Sequence, residues 1–134
     1  SLFCEGTAQN ENTGGGKALL GVYKNDDNRM AIWTRRNNNR IGHVEGGGVA
    51  GNLNESSSYN GKTALSLTTN SFSGSINGRP VLTDTSQPLP DFEGATIYVG
   101  NLDSGTAYQA NGHIKRVALY PEALTDTELQ SLTS

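Results

Sequence analysis

The chain has 134 residues, close to the usual length of one domain of about 100 to 150 residues, so we expect a single domain over residues 1–134. Only 34% of the residues are hydrophobic and glycine alone fills 17 positions, which excludes coiled coils and helical bundles. A net charge of −3 gives no electrostatic reason to expect nucleic acid as a partner, and no apolar run approaches the roughly 20 residues of a membrane span.

The start of the chain and its cysteine content add two expectations. The chain begins at Ser1 without a methionine and enters an apolar segment at once, so we expect a domain excised from a longer protein. Cys4 is the single cysteine and can form neither an internal disulfide nor a metal site alone. Stability therefore has to come from packing.

Short segments with alternating polarity, or with β-branched and aromatic residues, recur between turn-forming residues about every 8 to 12 positions. This spacing is typical of an all-β sandwich or barrel. The sequence predicts strands at residues 1–7, 17–24, 28–36, 39–45, 48–53, 62–69, 71–77, 79–84, 95–101 and 111–120.

Two of the connections are marked by their residue types. Asn77-Gly78 predicts a hairpin with a type I′ turn, because both residues tolerate a positive φ. Residues 86–91 contain two prolines, which lack the N–H that a strand interior needs, so this stretch predicts a loop.

The C-terminal segment has the pattern of a short helix. Thr125 stands three residues before Glu128, the spacing of a capping box, and Leu124 and Leu129 occupy the two positions of a hydrophobic staple. The predicted helix ends near Thr133.

Four segments together resemble a known family: residues 76–81 (INGRPV), 95–100 (ATIYVG), 111–121 (NGHIKRVALYP) and 123–133 (ALTDTELQSLT). In this order they resemble the concanavalin A-like, laminin-G-like jelly-roll domains of bacteriophage tail and other virion proteins. The resemblance implies an all-β fold of two antiparallel sheets packed face to face, with a short C-terminal α-helix. It also implies a location on the surface of a phage particle, and partners that include bacterial surface carbohydrate, other virion chains and further copies of this chain.

The carboxylates do not predict an enzyme. A glycoside hydrolase needs two carboxylates placed across a sugar ring. Glu45 stands alone in its segment, and Asp91 and Glu93 lie in the proline-containing loop. Catalysis would require folding to bring a pair together from Glu45, Glu55, Asp84, Glu93 or Asp103. We therefore expect a non-catalytic protein.

Aromatic residues are the first candidates for sugar binding, because an aromatic face stacks on the apolar side of a pyranose. In the segment after Met30, strand alternation places Met30 and Ile32 on one face and Trp33 and Arg35 on the other. The alternative is that Trp33 belongs to the core of the sandwich. Among the tyrosines, Tyr108 is the candidate we select for ligand binding.

Basic and polar residues close to Trp33 complete the candidate site. Arg35, Arg36 and Arg40 form a cluster whose guanidinium groups suit the carboxylates of an acidic polysaccharide, although such a cluster is also typical of a solvated hairpin tip. His43 and Glu45 lie two residues apart on one face of their strand, where they can flank a ligand or form a surface pair.

Calcium is the metal that the resemblance to concanavalin A-like domains implies, and it needs several oxygen ligands. Asp26 and Asp27 lie in an oxygen-rich segment, Asn25 to Asn28, and residues 101–103 form a second one. Neither segment has the spacing of a dedicated calcium motif, and Asn-Asp turns also form for backbone reasons. Asp26 and Asp27 are thus candidate ligands for a calcium ion, the alternative being a turn formed for backbone reasons, and no other cofactor is expected.

The sequence leaves two classes of function open. The first is a non-catalytic, lectin-like module of a phage tail protein that binds bacterial surface glycan or mediates attachment. The alternative is a structural domain that decorates a capsid or a fibre through protein contacts. A glycan-binding module should keep its aromatic and arginine side chains accessible, whereas a structural module should bury that face against partner chains.

Overall fold

The computed structural model describes residues 1–8, 16–35, 39–55 and 60–134 of the chain. Within these ranges the elements are β1 (Leu2–Ala8), β2 (Lys17–Asn25), β3 (Asn28–Arg35), β4 (Asn39–Gly46), β5 (Val49–Glu55), β6 (Asn60–Thr68), β7 (Ser71–Ile76), β8 (Leu82–Asp84), β9 (Thr96–Val99), β10 (Gly112–Leu119) and α1 (Asp126–Thr133).

The strands form two five-stranded antiparallel sheets. Sheet A has the order β10-β1-β6-β7-β8, and sheet B has the order β5-β4-β3-β2-β9. Apolar side chains from both sheets meet between them and form the main core, which includes Leu2, Leu20, Ile32, Leu65 and Phe72. The predicted all-β sandwich with a short C-terminal helix is therefore confirmed.

The helix α1 covers part of the outer face of sheet A. Leu129 is buried against Phe3 and Ala64, which point away from the main core. The helix begins with the predicted capping box, in which Thr125 accepts from the backbone N–H of Glu128 and Glu128 accepts from that of Thr125. No helix in the described ranges is long and apolar enough to cross a membrane.

The turn at Asn77-Gly78 forms as predicted, with φ angles of 52° and 73°. The backbone N–H of Arg79 donates to the carbonyl of Ile76 at 3.1 Å and closes the turn. The next strand, β8, begins only at Leu82, three residues later than predicted. Pro80 has no N–H to donate, and the N–H of Arg79 is used by the turn, so pairing with β7 starts after them.

A second layer covers part of the outer face of sheet B. The loop of residues 101–111 places Leu102 against the small side chains of Ala18 and Ala31. Gly21 lies directly beneath it, because a Cβ there would stand 2.9 Å from the backbone oxygen of Asn101 and 2.9 Å from the Cα of Leu102. Small residues on β2 and β3 thus allow this loop to lie on the sheet.

Candidate functional site

The strand β3 divides its side chains between the two faces of sheet B, as alternation predicts. Met30 and Ile32 are buried in the main core between the sheets. Arg29, Trp33 and Arg35 lie on the opposite, outer face, where they line one depression. The structure therefore places Trp33 and Arg35 together, as expected from the sequence.

We call this depression the outer site. Its volume is about 320 Å³, at the lower end of the roughly 300 to 1,000 Å³ that is common for small-ligand sites. Side chains of β3, β4 and β5 and the loop of residues 101–111 line it. The lining residues are Gly16, Arg29, Trp33, Arg35, His43, Glu45, Ala50, Asn52 and Tyr108.

Trp33 forms the floor of the outer site rather than an exposed platform. Its ring stacks on His43 with centroids 4.4 Å apart and on Tyr108 with centroids 6.0 Å apart. Gly16 presses against the indole, since a Cβ there would stand 2.4 Å from the Cε3 of Trp33. Only 5% of Trp33 is exposed, so both alternatives hold in part: it is buried, but in a small cluster outside the main core.

Arg29 is fixed by acidic side chains on one side and an aromatic ring on the other. Its Nε and Nη2 donate to the Oε2 of Glu45 at 3.1 and 2.9 Å, and its Nη1 lies 3.6 Å from Asp26. The guanidinium stands over the ring of Tyr108, 5.9 Å from its centroid. Burial lowers the pKa of Arg29, but its bonds to Tyr108 and Glu45 outweigh this and leave the pKa above its ordinary value. Arg29 is therefore a permanent, oriented positive charge in the site.

His43 lies beneath the outer site on β4, only 4% exposed. Its Nδ1 is 2.9 Å from the Oδ1 of Asn52, the residue opposite it on β5. Its Nε2 is 3.6 Å from the Oε2 of Glu45, too far for a hydrogen bond. Burial lowers the pKa of His43, so the ring is neutral at pH 7.

Arg35 is the exposed cation of the outer site. Its guanidinium lies over the ring of Trp33, 5.9 Å from the centroid. No carboxylate of the described part of the chain lies within ion-pair distance of it. Unlike Arg29, whose bonds to Glu45 occupy two of its nitrogens, Arg35 can direct its donors to a ligand.

The expectation that Arg40 joins Arg35 in one surface cluster is wrong. Arg40 is only 1% exposed and points between the sheets, where its Nη2 donates to the carbonyl of Gly6 at 2.8 Å. Burial lowers its pKa to about 10, so it stays charged at neutral pH. Arg36, the third member of the predicted cluster, lies outside the described residues.

The two predicted metal ligands have other contacts in the structure. Asp26 accepts a hydrogen bond from the hydroxyl of Tyr23 at 3.1 Å and pairs with Arg29. The backbone oxygen of Asp27 accepts from the N–H of Gly48 at 3.2 Å. Within the described ranges, no group of three or more His, Cys, Asp or Glu side chains is arranged to hold a metal ion. Calcium binding by Asp26 and Asp27 stays a prediction.

Two polar residues of the outer site, Arg29 and Asn52, are not among the predicted site residues, although the sequence carries a signal for each. Arg29 is separated from Trp33 and from Arg35 by an even number of positions along β3, so strand alternation alone places it on the same face. Asn52 lies opposite His43 because residues 47 and 48, both with positive φ, form a two-residue turn that fixes the register of β4 and β5.

Comparisons with known proteins relate this fold to modules of sialidases. One similar structure is the CBM40 module of the Ruminococcus gnavus IT-sialidase bound to α2,3 sialyllactose, with a TM-score of 0.77 and 18% identity over 99% of this chain and 81% of that one. The same module bound to α2,6 sialyllactose matches with a TM-score of 0.77 and 17% identity, over 99% of this chain and 82% of that one.

A leech intramolecular trans-sialidase complexed with 2,7-anhydro-Neu5Ac also matches. Its TM-score is 0.73 at 19% identity, and the match covers 98% of this chain and 22% of that chain. No family model matches the sequence, and no curated protein does. Likeness at this level of identity establishes the fold, a jelly-roll sandwich like that of the carbohydrate-binding modules.

Proposed function

We propose that the chain is a non-catalytic carbohydrate-binding module, and that the outer site binds an acidic glycan ending in a sialic acid. The observation that carries the proposal is the placement of Arg29 and Arg35 beside Trp33 and Tyr108 in one depression. The fold is also that of modules described in complex with sialyllactose.

The charges of the outer site favour an anionic ligand. Its described lining has two guanidinium groups against the single carboxylate of Glu45, and His43 is neutral at pH 7. Arginine is suited to carboxylates because its planar fork of N–H groups matches their geometry. A single carboxylate does not supply the acid and base pair of a glycoside hydrolase, so the site supports binding rather than cleavage.

The aromatic residues have different roles in this proposal. Trp33 is covered by His43, Gly16 and Tyr108 and supplies a rigid floor. Tyr108 is only half-buried and lies at the rim, with Arg29 over its ring. It is therefore the aromatic group that can contact the apolar side of a sugar.

The proposal is tested by calorimetric titration with 3′-sialyllactose, with lactose as the neutral comparison. We expect binding of sialyllactose only, weakened by added salt because the attraction is partly electrostatic. Arg35→Ala should weaken binding at least about tenfold through the lost charged hydrogen bonds. Lys115→Ala removes the same charge on sheet A, where the side chain is 75% exposed, and should leave the affinity unchanged. No binding of any sialylated glycan on an array would refute the proposal.

The wider setting of the module is part of the proposal. The sialidase modules support glycan binding, whereas the location on a phage virion, attachment to bacterial glycan and contacts with other virion chains stay predictions from the sequence. Detection of this chain by mass spectrometry in purified phage particles would test that location directly.

A structural role has one observation in its favour. Leu89, Ile97 and Leu119 are large apolar residues, each about half exposed, and all three line a cleft of about 270 Å³. The cleft shares no lining residue with the outer site. If the chain acts by self-association, light scattering should show a dimer that Ile97→Asp converts to a monomer. A monomeric wild-type chain would exclude self-association through this cleft.

A further inference from the structure

The side chain of Asn52 contacts the buried ring of His43. Its Oδ1 is 2.9 Å from the Nδ1 of His43, and a carbonyl oxygen can only accept. This contact is a hydrogen bond when the proton of the neutral His43 ring is on Nδ1. With Oδ1 directed down to His43, the NH₂ group of Asn52 is directed away from it, at the surface of the depression that Asn52 lines.

The surroundings of His43 agree with this proton position. A proton on Nε2 would need an acceptor, and the Oε2 of Glu45 is 3.6 Å away and already accepts two bonds from Arg29. The ring cannot turn to another partner, because it is stacked against Trp33 with centroids 4.4 Å apart. The charged groups that face the ring are Arg29 and Arg35 on β3 and Glu45 on its own strand.

We infer that Asn52 is a ligand-binding residue of the outer site, and that His43 is the positioning residue that presents its NH₂ group to the acidic sugar. This inference rests on the proposed function. Together with Arg29 and Arg35, Asn52 gives the site a lining of hydrogen-bond donors on both β3 and β5. An anionic group that lies between these strands can then accept bonds from both sides.

The first test is the variant Asn52→Asp, which introduces a negative charge. Aspartate is close to asparagine in shape and can still accept from the Nδ1 of His43, but it offers the sugar an oxygen in place of the NH₂ group. We expect an affinity for 3′-sialyllactose at least about tenfold lower than that of the wild-type chain, from a lost hydrogen bond to a charged group. Asn54→Asp is the matched control, because Asn54 lies two residues along the same strand on the same face and does not line the site. It adds the same charge and should cost less than about threefold.

The second test does not depend on a ligand. In ¹⁵N-labelled protein at pH 7.5, long-range proton–nitrogen spectra should show His43 protonated on Nδ1 and bare on Nε2. The NH₂ signals of Asn52, assigned by their loss in Asn52→Asp, should shift on addition of 3′-sialyllactose and not of lactose.

The outcomes separate the inference from the proposed function. No binding by the wild-type chain refutes the proposed function, and the inference with it. Binding by the wild-type chain that Asn52→Asp retains in full overturns the inference alone. So does a His43 ring with its proton on Nε2 and a bare Nδ1, because Asn52 would then donate to the ring and present its oxygen to the ligand.

Discussion

Replacing Trp33 by alanine should destabilise the fold rather than simply remove a sugar-stacking surface. The indole is 95% buried between His43, Tyr108 and Gly16. Replacement of a buried tryptophan by alanine typically costs about 3 to 5 kcal/mol, a large share of the roughly 5 to 15 kcal/mol that stabilises a domain. For a chain of this length, such a loss corresponds to a fall in Tm of roughly 10 to 20 °C.

Two measurements check this prediction. Thermal unfolding followed by circular dichroism gives the Tm of Trp33→Ala and of Trp33→Phe, which keeps an aromatic ring and should lose less. Trp33 is also the only tryptophan of the chain, so its fluorescence reports on the outer site alone. We expect a blue-shifted emission and weak quenching by acrylamide in the wild-type chain. A Tm for Trp33→Ala within about 3 °C of the wild-type value, together with strong quenching, would refute the packing described above.

Further predictions concern the loop, the helix and the buried histidine. Gly21→Ala should lower the free energy of unfolding by about 1 to 3 kcal/mol through overpacking, because the new Cβ meets the backbone at Leu102. Gly105→Ala should lower it much less, because its Cβ meets mainly the end of a flexible carboxylate; urea unfolding of both variants compares the two. Thr125→Ala removes the N-cap of α1 and should cost about 1 kcal/mol in urea unfolding, and an unchanged midpoint would contradict the role of the capping box. Burial lowers the pKa of His43, so the unfolded state takes up the proton more readily. The free energy of unfolding should therefore fall as the pH drops from 7.5 through about 6.5 to 5.5, and His43→Gln should flatten that slope.

The strand pattern of the sequence is enough to predict the sandwich and the face on which Trp33 and Arg35 lie. Period-two alternation determines which side chains point to the core, and it needs no knowledge of the partner strand. The turn at Asn77-Gly78 and the capping box of α1 can also be predicted from the sequence, because both depend on residues close together in the chain. These local features account for most of the fold that could be predicted.

The burial of Arg40 follows from the same alternation. His43 and Glu45 lie on one face of β4, and Arg40 is an odd number of residues away from both, so alternation directs it to the core with Val44. Burying an arginine costs free energy unless its donors are paired, so the sequence alone favours a surface position for Arg40. The carbonyl of Gly6, which provides a partner, comes from the other sheet, and no local pattern could indicate it.

The position of Tyr108 beside Trp33 depends on residues that carry no functional group. The loop that contains it is held by the backbone bond from the N–H of Ala18 to the oxygen of Tyr108, at 2.8 Å, and by the contact of Leu102 with Gly21. A larger residue at position 21 would lift this loop and draw Tyr108 away from Trp33 and Arg29. The shape of the outer site is thus set as much by the absence of side chains on β2 as by the arginines and aromatic rings that line it. Glycine and alanine carry no chemical group that marks them as part of a binding site. The sequence therefore suggests the aromatic residues of the site, but not the loop position that brings Tyr108 to Trp33.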